Sequence, residues 1–367
     1  MKYILFAGNV FVIILLFLST QAPTTSPSQY LFIAYLGMGF PIIVLFNAAF
    51  LVIWIVTFNW KFILLQLLAL IVCINSISTY CPWNKSEEQI DPKYDIKVMT
   101  YNVRGFNWLE GEDARKNPIL DYIANCNADI ICLQEFALEE KKDKNKILSI
   151  EEFDDIMKNY PYRAIIRLGN TESSCIYGLV CYSKYPILRQ GRVPIESAYN
   201  GSAMYEIQIG EKVITVVNNH LESNHITEED KALYRELVKS KNSELVNPVS
   251  QSIQSKLTPA FKTRERQANI ISNCIKEQLK NTNSLILCGD FNEPPISYAY
   301  NKIRGGMVDS FSASGCGLGI TYHQDGFLFR IDYIMHTQSI RSKKCYVDKV
   351  DYSDHYPVFS YLSIKYA

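Results

Sequence analysis

The sequence predicts an α/β domain, its sheets covered by helices, preceded by a membrane-embedded helical segment. Three observations predict it. The first 80 residues contain no acid and only two lysines, Lys2 and Lys61. From Ile96 onward, short strand-like apolar runs interleave with helical ones. Six short blocks deliver Asn, Asp, Glu or His, most of them where an apolar run breaks, as expected of residues gathered at one edge of a sheet.

Taken in order, Tyr3–Leu18 is apolar apart from Asn9, Tyr30–Phe58 is a long apolar run broken by Asn47 and Pro41, and Phe62–Ile77 is a third run. A helix needs about 20 residues to cross a bilayer. The second run is ample, tilted or kinked at Pro41, and the outer two are marginal. The first alone reads equally as a cleaved signal peptide, but the runs that follow favour three spans over residues 1–80. Lys2 precedes the first span and Lys61 lies between the second and third, so the positive-inside tendency puts both on the cytoplasmic side. An odd number of spans then carries everything from Cys81 onward across the membrane. This predicts a multi-pass protein of a bacterial-type inner membrane with its main domain outside.

All but two of the 37 basic side chains and all 37 acidic ones lie beyond residue 80, a net of about −2. That balance gives no overall pull on nucleic acid. Of ten cysteines, Cys126, Cys132, Cys181 and Cys288 sit in or beside apolar segments, as small buried hydrophobes do. No CxxC pair or zinc spacing occurs, and cysteine usage does not decide the compartment.

Residues 81–95 read as a polar linker, and residues 96–367 as the main domain. Strand signals cover Ile96–Tyr101, Asp129–Gln134, Tyr162–Leu168, Ile176–Tyr182, Ala203–Ile209, Val213–Asn218, Ser284–Cys288, Arg330–Met335 and Val358–Ile364. Helical signals cover Asp113–Cys126, Ile150–Asn159 and Lys262–Lys280. Ile226–Pro259 interrupts this pattern just after His220. It reads as a solvated helical insertion, as a lid over a site or as a surface that rests on lipid.

The six blocks are MTYNVRG around Asn102, ICLQEF around Glu135, VNNHLES around His220, LCGDFNEPP around Asp290 and Asn292, RIDYIMH around Asp332, and YSDHYPV around Asp354 and His355. Together they suit hydrolysis of a phosphate ester. That reaction needs a cation on the phosphoryl oxygens, a base for water, and donors for the charge that grows in the transition state. Hard oxygen ligands suit magnesium or manganese. Glu135, ending a strand, fits a principal ligand, though alone it reads as an ordinary surface or capping acid. Asn102, ending another, could bind metal or phosphate. Asp290 and Asn292 stand two apart, on one side if strand geometry persists; the alternative is a plain Asx turn. Gly289 permits close backbone approach. His355 has the intrinsic pKa of a general base. Asp332 is flanked by Ile331 and Tyr333, and a buried acid is costly unless paired, which supports an Asp332–His355 pair. His220 could donate to a phosphate oxygen, or be structural. His225, His323 and His336 gain no support from their neighbours.

These blocks, in this order over about Ile96–Ala367, resemble the endonuclease/exonuclease/phosphatase superfamily. Its members include deoxyribonuclease I-like nucleases, abasic-site endonucleases, neutral sphingomyelinases and inositol polyphosphate phosphatases. GDFN and SDHYP carry the resemblance together more than singly. It implies a four-layer α/β sandwich, two mixed sheets face to face with helices outside. It also implies roles: Glu135 as metal ligand, with Asn102 and Asp354 completing the metal and phosphate environment; His355 as base, oriented by Asp332; and Asp290 positioning water or assisting the leaving group. Asn292 and His220 would donate to the scissile phosphate, and Arg104 would reach a substrate phosphate. A histidine at 220 is similar to the secreted nuclease and sphingomyelinase branches.

The expectation is therefore a membrane-anchored phosphodiesterase or phosphatase using Mg2+ or Mn2+. A lipid or other membrane-associated phosphoester fits the anchor and the near-neutral domain. A nuclease acting on DNA or RNA is the alternative, and an inactive binding module a third reading. The sequence leaves the oligomeric state open.

Overall fold

The computed structural model describes residues 2–84, 88–108, 116–140, 148–170, 172–240, 244 and 246–364. Two six-stranded mixed sheets lie face to face. The first runs in the order β11 (Arg341–Val347), β12 (Val358–Ser363), β1 (Asp95–Asn102), β2 (Ile130–Glu139), β4 (Cys175–Ser183), β3 (Tyr162–Arg167). The second runs β5 (Ile187–Val193), β6 (Gly201–Ile209), β7 (Lys212–His220), β8 (Leu285–Asp290), β10 (Asp332–His336), β9 (Val308–Asp309). The pairs β1–β2 and β7–β8 are parallel and the rest antiparallel.

Strand alternation splits the core into layers. Ile96, Val98, Ile130, Cys132, Val216, Ile286, Cys288 and Ile334 pack between the sheets. Met99, Tyr101, Ile131 and Leu133 face outward beneath α7 (Pro118–Asn125) and α8 (Ile150–Ile156). Val217, Leu285, Leu287 and Met335 face α10 (Val246–Gln278) and α11 (Tyr298–Arg304) on the other side. The result is the four-layer α/β sandwich. The helical starts are written locally: Asn117 caps α7 with Pro118 in its first turn, and Ser149 and Glu152 form a capping box on α8.

The structure corrects several sequence expectations. β5, β9, β11 and α11 carry too little apolar signal to be read, since β5 is largely exposed. The helix expected over Asp113–Cys126 begins at Pro118, and residues 113–115 lie outside the described residues. The helix expected to start at Lys262 runs from Val246 straight through Pro259. An interior proline costs about 3 kcal/mol. Around Pro259, the buried Leu257, Ala260 and Phe261 offset that cost by packing.

The N-terminal unit contains α1 (Lys2–Ser19), long and apolar enough to cross a membrane, with a mean hydropathy of 2.1. The other two apolar runs are each a bent pair. α2 (Leu31–Met38) meets α3 (Phe40–Val56) at 65°, and α4 (Trp60–Val72) meets α5 (Ile74–Tyr80) at 61°. Up to three spans result if each pair counts as one. The first bend falls at Gly39 to Pro41, where the proline sits in the first turn of α3.

This unit is docked on the sandwich. Ile296 inserts among Leu16, Phe40 and Tyr80. Gly37 lies so close that a Cβ there would meet the Ile296 carbonyl oxygen at 2.3 Å. Tyr35 crosses Phe261 edge-on at 5.3 Å, and the buried Arg330 donates to the Thr79 carbonyl at the end of α5. The expected linker is stitched down as well: Asn84 Nδ2 donates to the Gly315 carbonyl at 2.7 Å. All ten cysteines fall within the described residues and are free thiols.

Candidate active site

Register places the chemistry. On β7, β8 and β10 the even-numbered residues face the opposite sheet, so His220, Asp290 and Asp332 do too. His220 pairs with Asp290 and Asp290 with Asp332, a row across three neighbouring strand ends. On β1 the same alternation turns Asn102 into the gap between the sheets. β8 can approach β7 this closely because residue 289 is glycine, with φ +127°. A Cβ there would lie 1.9 Å from the Asn219 carbonyl oxygen.

Glu135 does not end its strand. β2 continues to Glu139, with a bulge between Leu133 and Phe136. Strict alternation after Leu133 would send residue 135 to the outer face. The bulge, with Glu135 at φ +50°, swings its carboxylate back into the gap and returns Phe136 to the outer core. Asn292 likewise reaches the site by a turn, not by strand alternation. Its N–H donates to Asp290 Oδ1 at 2.8 Å, and its φ is +52°. The Asx turn and the site geometry are one feature. Arg104 also has positive φ, opening α6 (Arg104–Trp108), a left-handed turn held by the buried Phe106. Such strain costs about 1–3 kcal/mol per residue and concentrates at functional sites.

The nine residues singled out by sequence all meet here. His355 Nδ1 lies 2.9 Å from Asp332 Oδ2. His355 Nε2 lies 3.7 Å from Asp290 Oδ2. The Asn102 amide donates to Glu135 Oε1 at 3.0 Å and to Asp290 Oδ2 at 3.1 Å, while its oxygen accepts from the Arg104 N–H. Its nitrogen, not its oxygen, therefore faces the carboxylates. His220 Nε2 lies 3.5 Å from Glu135 Oε1 and 3.9 Å from Asp290 Oδ2. Asn292 Nδ2 stands 3.4 Å from Asp290 Oδ2. Arg104 Nε is 3.7 Å from Asp354 Oδ2.

Crowding of charge shifts the titrations. Burial, reinforced by Asp332, pushes Asp290 up to about 6. Burial raises Glu135, with Asp354 adding to it and the Asn102 hydrogen bond opposing. Burial lowers His220, against the pull of Asp290. Burial alone would lower His355 too, but Asp332 and Asp290 outweigh it and hold its pKa well above the ordinary value.

Four carboxylates gathered this way, with Asp332 Oδ1 buried and unpartnered, fit a hard divalent cation. Among the described residues, Asp290, Asp332 and His355 bring ligand atoms within 4.8 Å of one another. Those atoms are already engaged with each other and with Asn102. Glu135 and Asp354 are the open pair, with 27% and 14% of their side chains exposed against 1% for Asp290 and Asp332.

Several supporting residues escaped the sequence reading. Gln134 Nε2 donates to Thr100 Oγ1 at 2.9 Å and to Asn218 Oδ1 at 2.6 Å, joining the two sheets beneath the site. Gln134 and Asn218 are each the first polar residue of their blocks, a signal present in the sequence. Arg264 and Glu293, both buried, pair at 2.8 Å and pin α10 to the GDFN loop. The ring of Tyr322 packs edge-on against His355 at 5.1 Å; nothing around Tyr322 in sequence announces it. Of the unsupported histidines, His323 stacks on Tyr356 at 3.8 Å, His225 is exposed beside Glu222, and His336 is buried on the Thr337 carbonyl.

The insertion is a wall of the site. Asp230, on α9 (Glu228–Ser240), bonds Ser252 and Lys256 of α10. Ile226, Lys231, Ile253 and Leu257 line the cleft beside Glu135, Asp290 and His355.

Residues 99–355 match the Endonuclease/Exonuclease/phosphatase family, and the chain belongs to that family. Its members are hydrolases acting on phosphoester bonds. Residues 2–80 match a second family, described as a domain of unknown function (DUF8431). A search of curated proteins finds no match. Among solved structures, the endonuclease/exonuclease/phosphatase from Bacteroides vulgatus is similar, with a TM-score of 0.52 and 19% identity over 74% of this chain and 99% of that one. A family protein from Leptotrichia buccalis gives 0.50 and 19% over 73% and 99%. Truncated Caenorhabditis elegans TDP2 gives 0.49 and 16% over 73% and 97%. At these identities the two bacterial likenesses bear on the fold alone.

Proposed function

We propose that the protein is a membrane-anchored, divalent-metal-dependent phosphoesterase in which His355 activates water. The observation that carries this reading is the line from Asp332 through His355 to Asp290, with steps of 2.9 and 3.7 Å. Asp332 accepts from Nδ1, which leaves Nε2 as the acceptor toward water. A water at Nε2 is also within reach of Asp290. As its oxygen bonds to phosphorus, its proton passes to Nε2 and the ester P–O bond breaks. Asp290, titrating near 6, positions that water or protonates the leaving oxygen. Asn292 and His220 supply N–H donors to the phosphoryl oxygens, and Arg104 adds a charged donor at the cleft edge. Glu135 and Asp354 would hold a magnesium or manganese ion, with Asn102 positioning Glu135. The bound ion would neutralise the phosphoryl charge.

The anchor reading rests on the apolar helices and on where their charges lie. Lys2 sits over the Phe62 ring at 5.4 Å, so the N-terminus and the turn bearing Lys61 share one end of the helical unit. The sandwich docks at the other end. Exposed aromatics flank both: Tyr3, Phe58 and Trp60 at the lysine end, Tyr30, Phe32 and Trp83 near the sandwich. This arrangement supports a multi-pass anchor with the lysines cytoplasmic and the sandwich outside.

The test is hydrolysis of bis(p-nitrophenyl) phosphate and p-nitrophenyl phosphate by the purified full chain, with magnesium, manganese or a chelator, alongside plasmid DNA. Turnover that needs the metal and falls at least 10-fold in Glu135→Gln is expected. Metal-independent turnover, or none on any ester, would sink the reading.

A further inference from the structure

We propose that the cleft binds a phosphoester carrying a long hydrocarbon chain, taken sideways from the bilayer that holds the N-terminal helices. The proposal rests on the phosphoesterase reading and names its substrate class. The cleft, about 500 Å³, has a charged floor of Glu135, Asp290, Asp354 and His355. Beside polar residues such as Ser223, Asn224, Thr227, Glu228 and Lys231, its lining holds apolar side chains from three separate stretches of chain. Met38 comes from the membrane unit, Ile226, Ile253 and Leu257 from the insertion, and Phe327 and Phe329 from the loop before β10. Phe327 is held there by Tyr234 of α9, ring to ring at 4.8 Å. A phosphate with only polar substituents would leave these walls wet. A phosphate on an alkyl chain would cover them.

The way in is set by the bends. Met38 ends α2, which leaves the axis of α3 by 65°, so a spanning α3 places α2 toward the plane of the interface. Tyr35 of the same helix bonds Thr258 Oγ1 on α10 at 2.9 Å, fixing α2 against the cleft wall. Met38 thus brings the N-terminal unit to the cleft. A polyanion finds less here. Among the described residues lining the cleft, Arg104 faces Asp354 and Lys231 is bonded to Glu228 and Gln324.

The test uses the full chain in phosphatidylcholine nanodiscs with magnesium. The substrates are p-nitrophenyl phosphodiesters whose second group is methyl, butyl, octyl or dodecyl. From methyl to octyl, kcat/KM should rise roughly 10-fold or more, since each buried methylene favours binding. Ile253→Ser and Phe329→Ser, on separate elements, should flatten that rise. Bilayer partitioning would act equally on wild type and variants, so an equal rise in all three overturns the proposal. So does a flat series in the wild type, or DNA cleaved in preference to every ester; either leaves the hydrolase reading standing. Failure on every ester overturns that reading and this one with it. A phospholipid with a photoactivatable tail gives a second measurement free of variants. Cross-links to Met38, Ile253 or Phe329 are expected, and labelling confined to the exposed faces of α1 and α3 contradicts the proposal.

Discussion

Two of the buried polar clusters in this molecule, one in the N-terminal helices and one between the sheets, are built in opposite ways. In the helices Asn9 donates to Gln66 at 2.5 Å, Gln66 to Asn47 at 2.8 Å, and Trp54 to Asn9 at 2.9 Å. Asn47 closes the chain on the Ile43 carbonyl. Every member is neutral, and each amide both donates and accepts. Such a network locks helices together in an apolar medium. Between the sheets Asp290, Asp332, Glu135 and His355 are charged or shifted, Asp332 Oδ1 has no partner, and Glu135 and Asp354 open to solvent. Burial is common to both clusters. What separates them is unspent capacity for charge and hydrogen bonds, and that capacity is what a reacting phosphate would use.

Replacing Asp332 by Asn should break the open cluster most severely. kcat should fall about 10²–10⁴-fold, the scale of a lost general base. The pH profile carries a sign. Below its pKa His355 is protonated and cannot accept a proton, so activity rises with pH through that value. Asp332 raises it, so Asp332→Asn should shift the rise to lower pH. A kcat within a few-fold of wild type would mean the cluster is as structural as the amide one.

A charged pair that is internally matched belongs with the amides. Arg264 Nε donates to Glu293 and its Nη1 to the Glu222 carbonyl, with both side chains buried. Arg264→Met leaves Glu293 buried without its cation and should cost about 3–5 kcal/mol in denaturant unfolding. A loss below 1 kcal/mol would show the pair to be dispensable.

The smallest effect is expected in the helices. Gln66→Leu removes the middle of the amide chain and should cost about 1 kcal/mol of thermal stability in detergent. Phosphoester turnover should stay unchanged, and a fall in kcat would dissolve the distinction drawn here.

Much of the sandwich was legible because strand alternation is local. Ile96–Tyr101 and Ser284–Cys288 read correctly from composition alone. The six polar blocks were legible as a set: singly most had a local explanation, and only their joint order pointed to one site. Glu135 was misplaced at a strand end because a bulge is set by what β4 and the outer core require of Phe136, not by the residues around it. Pro259 misled for a similar reason: packing against neighbouring elements, invisible in sequence, carries α10 through it. Met38 and Phe329 could not be seen as cleft residues at all, since only the docking of distant segments makes them neighbours.

In the proposed reaction His355 takes the proton from the attacking water. Single-turnover hydrolysis of a phosphodiester at saturating magnesium, comparing wild type with His355→Ala, tests it most directly. The expected rate is about 10²–10⁴-fold lower in the variant, with magnesium affinity within a few-fold of wild type. An unchanged rate would contradict it.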